Sequence, residues 1–145
     1  MYKVAEFAAN LKDFKQEIVG GKVTTCVDHL VKLAILDSPK NQNHWQQEVY
    51  AAFHNIPLLK KMKKYPNPDW MLKFIWDWYG DNLESFISCA IREEPEEKLK
   101  LNDTTILDCV TSSVYNYFSW LVEQLCKKGE VTSTEVYAKL DRLGL

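Results

Sequence analysis

The chain has 145 residues, of which 46% are hydrophobic and 26% charged, and its formal net charge is −2. A chain of this length and composition can bury one substantial core, so wholesale disorder is excluded and a single domain is expected. With five glycines, five prolines and no fixed repeat, collagen-like, low-complexity and solenoid classes are excluded as well.

The apolar residues first recur at helical spacing over residues 3–18, where Gly20-Gly21 ends the pattern. A second helix begins at Thr24 or Thr25 and stops before Pro39. Its apolar residues cover more than one face, so we expect it at the centre of the fold. The stripe of the first helix consists of Val4, Phe7, Ala8, Leu11, Phe14 and Ile18.

The middle of the chain predicts three shorter helices. The first of them opens at Asn41 or Asn43, and a short one covers residues 58–64. The next begins at residues 67–69, an Asn-Pro-Asp start signal with proline at the first helical position, and runs to about Trp78.

Gly80, followed by Asp-Asn-Leu-Glu at 81–84, predicts a C-cap and then a capping box that opens a sixth helix. Four glutamates around Pro95 break the helical pattern, and we expect a long exposed loop there. These residues are not a domain boundary, because about 50 residues after them could not bury a core alone.

The longest helix begins at Asp103, holds its apolar stripe for roughly 20 residues and ends at Gly129. Residues 132–135, Thr-Ser-Thr-Glu, form a capping box that starts the last helix. The stripe of the longest helix contains Ile106, Leu107, Val110, Val114, Phe118, Leu121, Val122 and Leu125.

No run alternates with a period of two, and no Asn-Gly or Asp-Gly pair lies between apolar runs, so a sheet is not expected. The sequence therefore predicts an all-α fold over residues 1–145: a compact single-domain bundle of about seven or eight helices.

The cellular compartment is predicted from membrane, secretion and cysteine patterns. Its most apolar stretch, residues 70–79, is far shorter than the roughly 20 residues of a membrane span, and the first residues are not a secretory signal. Four cysteines without a close CxxC pair suit reduced, buried thiols. We expect a cytoplasmic protein without disulfides and without membrane contact.

Aromatic side chains are concentrated between residues 70 and 79 and cover almost the whole circumference of the predicted helix. Such a helix is either packed on all sides in the core, or it presents tryptophans that anchor a protein partner. The candidate anchors are Trp70, Trp76 and Trp78.

Four lysines stand just before this helix, beside Tyr65, and basic charge interleaved with aromatics is the combination that single-stranded nucleic acid uses. The pI near 5.9 and the absence of arginine nearby argue against that partner, so nucleic acid is not expected. A run of charge is commonly a solvated helix face. With the tryptophans, these lysines are the candidate partner-binding residues: Lys60, Lys61, Lys63 and Lys64.

Two pairs could in principle meet around a metal: Cys26 with His29, and His44 with Glu48. Neither has zinc-finger spacing or the Glu-x-x-His pattern of di-iron bundles. No glycine-rich phosphate loop and no G-x-S-x-G elbow can be written anywhere in the chain. We therefore predict no metal, no cofactor and no catalytic residue, and an enzyme is the less favoured class.

The sequence favours a small cytosolic protein-binding module whose partner is another protein or a second copy of itself. By size and composition alone, this class includes inhibitors, immunity proteins, antitoxins and anti-defence proteins. The alternatives are a small helical enzyme or metal-binding bundle, and a nucleic-acid-associated regulator that uses the run from Lys60 to Lys64.

Overall fold

A computed structural model of the chain describes residues 22–54, 69–101 and 105–145. These ranges contain six α-helices, one 3-10 turn at Gly80–Asn82 and two very short strands, β1 (Leu36–Asp37) and β2 (Lys98–Leu99). The helices are α1 (Lys22–Ile35), α2 (Pro39–His54), α3 (Asp69–Tyr79), α4 (Leu83–Glu93), α5 (Ile106–Lys128) and α6 (Ser133–Arg142).

The all-α prediction is confirmed, but the described ranges do not support a count of seven or eight helices. The helices predicted over residues 3–18 and 58–64 lie outside the described residues. The expectation that the chain forms no sheet is wrong, since β1 and β2 pair antiparallel, Leu36 opposite Leu99. Strands of two residues are too short to show an alternating pattern, so periodicity could not have found them.

Helix α1 takes the predicted central place: it packs against α2, α4 and α5, and its residues from Leu30 to Ile35 are all buried. It already contains Thr24 and Thr25, so neither threonine is its cap. The remaining core comes mainly from α5, where residues such as Val110, Val114, Phe118 and Val122 are fully buried.

Helix α2 begins two to four residues earlier than predicted. The carbonyl oxygen of Ser38 accepts from the N–H groups of Asn41 (3.1 Å) and Gln42 (3.0 Å), so Pro39 occupies the first helical position. Proline suits that position because its ring already fixes a helical φ and the missing N–H would have no partner there. Pro39 therefore begins α2, whereas α1 ends four residues earlier at Ile35.

The predicted C-cap and capping box around Gly80 are wrong. Gly80 has no positive φ, and the Asn82 side chain does not cap α4 but donates to the Trp78 carbonyl oxygen at 2.7 Å. The chain stays right-handed through the 3-10 turn. A Cβ at Gly80 would lie 3.1 Å from the Trp76 indole, a tight contact that the glycine avoids.

The signals at the end of the chain are confirmed. Gly129 ends α5 in the left-handed conformation at φ 82°. The Thr132 hydroxyl accepts from the Glu135 N–H at 3.2 Å, and the Glu135 carboxylate accepts from the Thr132 N–H at 3.2 Å, which completes the capping box.

All four cysteines lie in the described residues and are free; Cys26 and Cys126 are buried, whereas Cys89 and Cys109 are partly exposed. The buried-thiol prediction is thus confirmed for two of them. None of the described helices combines the length and hydropathy that crossing a bilayer requires.

Candidate interaction surface

Helix α3 has a core-facing side that the structure identifies. Ile75 and Tyr79 are buried, and Leu72 and Trp76 are partly buried against the core. The Tyr79 hydroxyl lies 2.6 Å from the hydroxyl of Thr24 on α1. The core therefore takes the edge of α3 that carries Leu72, Trp76 and Tyr79.

The opposite edge of α3, formed by positions 70, 74 and 78 and called here the outer edge, presents Trp78 to solvent. Trp78 is 49% exposed, and it lies about 160° around the helix from Trp76 because each residue turns the helix by about 100°. The side chains of Trp70 and Phe74 lie outside what the structure describes. Of the three candidate anchors, Trp78 is exposed, Trp76 is mostly a packing residue, and Trp70 has no described side chain.

A second exposed apolar group lies where α3 meets α5. The rings of Trp76 and Tyr115 meet edge to face, with centroids 5.0 Å apart, and Tyr115 is 40% exposed. Leu107, about two turns earlier on α5, is 39% exposed. The sequence placed Leu107 in the core stripe, and that assignment is wrong because Ile106 and Val110 take the buried positions of this turn. Tyr115 was missed, although its position one residue after Val114 sets it off the stripe.

Charged side chains border the aromatic residues of α3. Lys73 and Asp77, both exposed, pair at 3.1 Å on the solvent side of the helix, as i and i+4 spacing allows. An exposed aromatic residue within a polar border is the usual composition of a transient protein interface. The four lysines from Lys60 to Lys64 lie outside the described residues.

The acidic connection after α4 is not a free loop. Lys32 on α1 is only 7% exposed, and its Nζ lies 2.8 Å from Glu93 and 3.3 Å from Asp28. Further along, the Asn41 side chain donates to Glu97 at 3.1 Å. Most residues of this connection are exposed, as predicted, but a buried cation and α2 also hold the acidic run. Sequence patterns missed this because Lys32 is about 60 residues from its partner.

These contacts shift the titration of both partners. Burial lowers the pKa of Lys32, but the hydrogen bond and charge of Glu93 and the charge of Asp28 outweigh burial and raise it overall. The same hydrogen bond and the charge of Lys32 lower the pKa of Glu93. Both shifts favour the charged forms, which is what a structural ion pair needs.

The proposed metal pairs do not come together. The Nδ1 of His29 donates to the Thr25 carbonyl at 2.8 Å, and Cys26 is fully buried, which raises the pKa of its thiol. His44 lies 4.0 Å from Glu48 on an exposed face. Within the described ranges, no group of three or more His, Cys, Asp or Glu side chains is placed to hold a metal ion.

A polar cleft of about 70 Å³ lies between the end of α1 and the start of α2, with Trp45 and Lys100 in its wall. Burial lowers the pKa of Lys100, but its Nζ already donates to the carbonyl oxygens of Leu33 (2.7 Å) and Gly144 (3.2 Å). Lysine commonly satisfies the last carbonyls of a helix in this way. Lys100 therefore connects the end of α1 to the last described residues through these two hydrogen bonds.

Exposed large hydrophobic residues are the most informative features of the described surface, and three of them (Trp78, Leu107 and Tyr115) lie on α3 and α5. Isolated exposed hydrophobics are ordinary on a folded protein. Comparisons of the chain with family models, with curated proteins and with solved structures give no match.

Proposed function

We propose that this protein works by binding another protein through α3, with Trp78 as the anchor side chain. The observation that carries the proposal is the exposure of Trp78, 49%, on a helix whose opposite edge is already committed to the core. Burying the exposed half of the Trp78 side chain against a partner would contribute binding free energy, whereas that half contributes little to the stability of the fold.

The surroundings of Trp78 support the same interpretation. The helix that carries it is fixed on the core side by Ile75 and Tyr79, so the anchor is held on a rigid element and loses little entropy on binding. The exposed Lys73–Asp77 pair supplies a polar border next to Trp78. Because the pair carries one charge of each sign, it favours neither an acidic nor a basic partner. Together these features favour a transient contact of modest size.

The test begins with affinity capture by the unmodified protein and sedimentation of the protein alone, which distinguish a different partner from a second copy. Calorimetry then compares Trp78→Ala with Ile91→Ala. Ile91 on α4 is 40% exposed, so its truncation removes a similarly exposed apolar group elsewhere. We expect Trp78→Ala to weaken binding by about 30-fold, which corresponds to roughly 2 kcal/mol for an anchor residue, and Ile91→Ala to leave it unchanged.

Two results would overturn the proposal. If Trp78→Ala binds the partner, or associates with itself, as tightly as the unmodified protein, α3 is not the anchor. If Ile91→Ala weakens binding as much as Trp78→Ala does, the effect is a general one of surface hydrophobicity.

The compartment and the class of binding protein are proposed from the size and composition of the chain. We propose that the module is cytoplasmic, in keeping with free thiols at all four cysteines, and that it belongs among inhibitors, immunity proteins, antitoxins or anti-defence proteins. No contact of the described residues favours the metal-binding, enzymatic or nucleic-acid alternatives over it.

A further inference from the structure

We propose that residues 93–100, called here the strap, open and close as one unit over the cleft between α1 and α2. Contacts between charged groups hold the strap closed. It runs from the last residue of α4 through β2. The contacts that hold it are made with α1 and α2, so the proposed partner contact at Trp78 plays no part in them.

The strap has no apolar anchor of its own. Between residues 91 and 100 no side chain is buried, and Leu99 is 40% exposed. Among the described residues, the nearest buried side chains along the chain are Ala90 on α4 and Ile106 on α5. A segment with few buried apolar contacts opens at a lower free energy than the helices that it joins. Polar contacts must therefore keep the strap in place.

A buried cation holds the first residues of the strap. Lys32 on α1 is 7% exposed, and its Nζ lies 2.8 Å from Glu93 and 4.0 Å from Glu94. Because an ammonium group away from water needs a counter-charge, these contacts stabilise the closed strap. The other charged or titratable side chains of this cluster are Asp28, His29 and Arg92.

The later residues of the strap are fixed to α2 and to the end of α1. The Asn41 side chain donates to the Glu97 carboxylate at 3.1 Å, and the Nζ of Lys40 lies 3.8 Å from the same carboxylate. The backbone N–H of Lys100 donates to the Ile35 carbonyl oxygen at 2.7 Å. Since these contacts follow one another on a short stretch of chain, breaking one frees its neighbours, and we expect them to be lost together.

Opening of the strap changes the cleft. Lys100 lines that cleft together with Leu36, Ser38 and Trp45, which are each at most 5% exposed. The Nζ of Lys100 also donates to the Leu33 carbonyl oxygen at 2.7 Å. When the strap opens, the cleft loses the Lys100 side of its wall, and side chains that the closed fold buries become accessible to solvent.

The test measures hydrogen exchange at single backbone amides of the full chain by NMR at pH 7. The amides of Glu97 and Lys100, both hydrogen-bonded, report on the strap. The amide of Phe118, within α5, reports on global unfolding. In the unmodified protein the two strap amides should be protected equally, within about threefold, and at least about 100-fold less than the amide of Phe118.

A pair of charge variants tests what holds the strap closed. Glu93→Gln removes the nearest counter-charge of Lys32 and should raise exchange at Lys100 about tenfold, as expected when a hydrogen bond between charged groups is weakened. Glu96→Gln is the matched control, because it removes the same charge from the strap without touching Lys32. It should leave exchange at Lys100 unchanged.

A core variant provides the opposite control. Val122→Ala truncates a fully buried side chain of α5, so it should raise exchange at Phe118 about tenfold or more and leave exchange at Lys100 unchanged. Equal protection of Lys100 and Phe118 in the unmodified protein, or an equal rise at both in Val122→Ala, would mean that the strap opens only when the whole protein unfolds. Either result would overturn the proposal, as would equal exchange at Lys100 in Glu93→Gln and Glu96→Gln.

Discussion

Replacing Glu93 by glutamine should destabilise the protein, because it removes the nearest counter-charge of a buried cation. Lys32 is 7% exposed and lies 2.8 Å from Glu93, with Asp28 remaining as its second partner at 3.3 Å. A hydrogen bond to a charged group contributes about 1.5 to 3 kcal/mol. Since Glu93 itself is half exposed, solvent screening reduces the expected loss to about 1 to 2 kcal/mol.

The assay is a thermal and urea melt at pH 7, in which the loss corresponds to a decrease in Tm of roughly 3 to 6 °C for a chain of this size. Glu96→Gln is the matched control, because it removes the same charge from the same acidic run without touching Lys32. We expect Glu96→Gln to change Tm by less than about 1.5 °C, as surface substitutions usually do.

The pH dependence checks the mechanism. Glu93 has a lowered pKa in the folded protein, so its contribution is complete above the unfolded pKa, near 4.3, and is lost as the pH falls through the folded pKa. The difference in stability between the unmodified protein and Glu93→Gln should therefore shrink in acid. Lys32 has a raised pKa, so its own contribution is complete below about pH 10.4 and is lost as the pH rises through its folded pKa.

Equal melts for Glu93→Gln and Glu96→Gln at pH 7 would refute the ion pair as a source of stability. A stability difference between the unmodified protein and Glu93→Gln that persists unchanged at low pH would refute it too. At low pH Glu93 is protonated, so position 93 is uncharged in both proteins.

Three further outcomes are expected. In urea unfolding, Trp78→Ala should lower the free energy of unfolding by less than about 1 kcal/mol, whereas Ile75→Ala, on the buried side of the same helix, should lower it by about 2 to 5 kcal/mol. Similar losses would contradict the description of α3 as a helix with one buried and one exposed edge. Thr132→Ala should cost about 1 kcal/mol by removing the cap of α6, and an unchanged urea midpoint would show that the capping box adds no stability. In a thiol-labelling time course at pH 8, Cys26 and Cys126 should react last, since burial raises both pKa values, that of Cys126 to about 11; rapid labelling of Cys26 in the folded protein would contradict its burial.

Local signals in the sequence predicted the elements whose cause is local. The capping box at Thr132 and the left-handed stop at Gly129 depend on residues no more than four positions away, and both were predicted correctly. The prediction around Gly80 was wrong because the chain there stays right-handed, and the glycine instead lies close to the Trp76 indole, a contact that a C-cap pattern does not describe.

The candidate site could be predicted only in part. The aromatic content of residues 70–79 identified the helix, and its periodicity showed that a single neighbour could not cover both edges. Which edge is buried depended on Thr24 and on residues of α1 and α5, which are far away in the chain. Tyr115, which contacts Trp76, is separated from it by almost forty residues and carries no signal of its own.

The sequence by itself determined the helical class, most helix positions and the free thiols, because backbone hydrogen bonds and caps are made between near neighbours. The tertiary structure decided that Lys32 is buried and paired, that β1 and β2 meet, and that Trp78 rather than Trp76 is exposed. Burial and ion pairing between distant elements are set by how the helices pack, and periodicity determines only which faces must be covered and not what covers them.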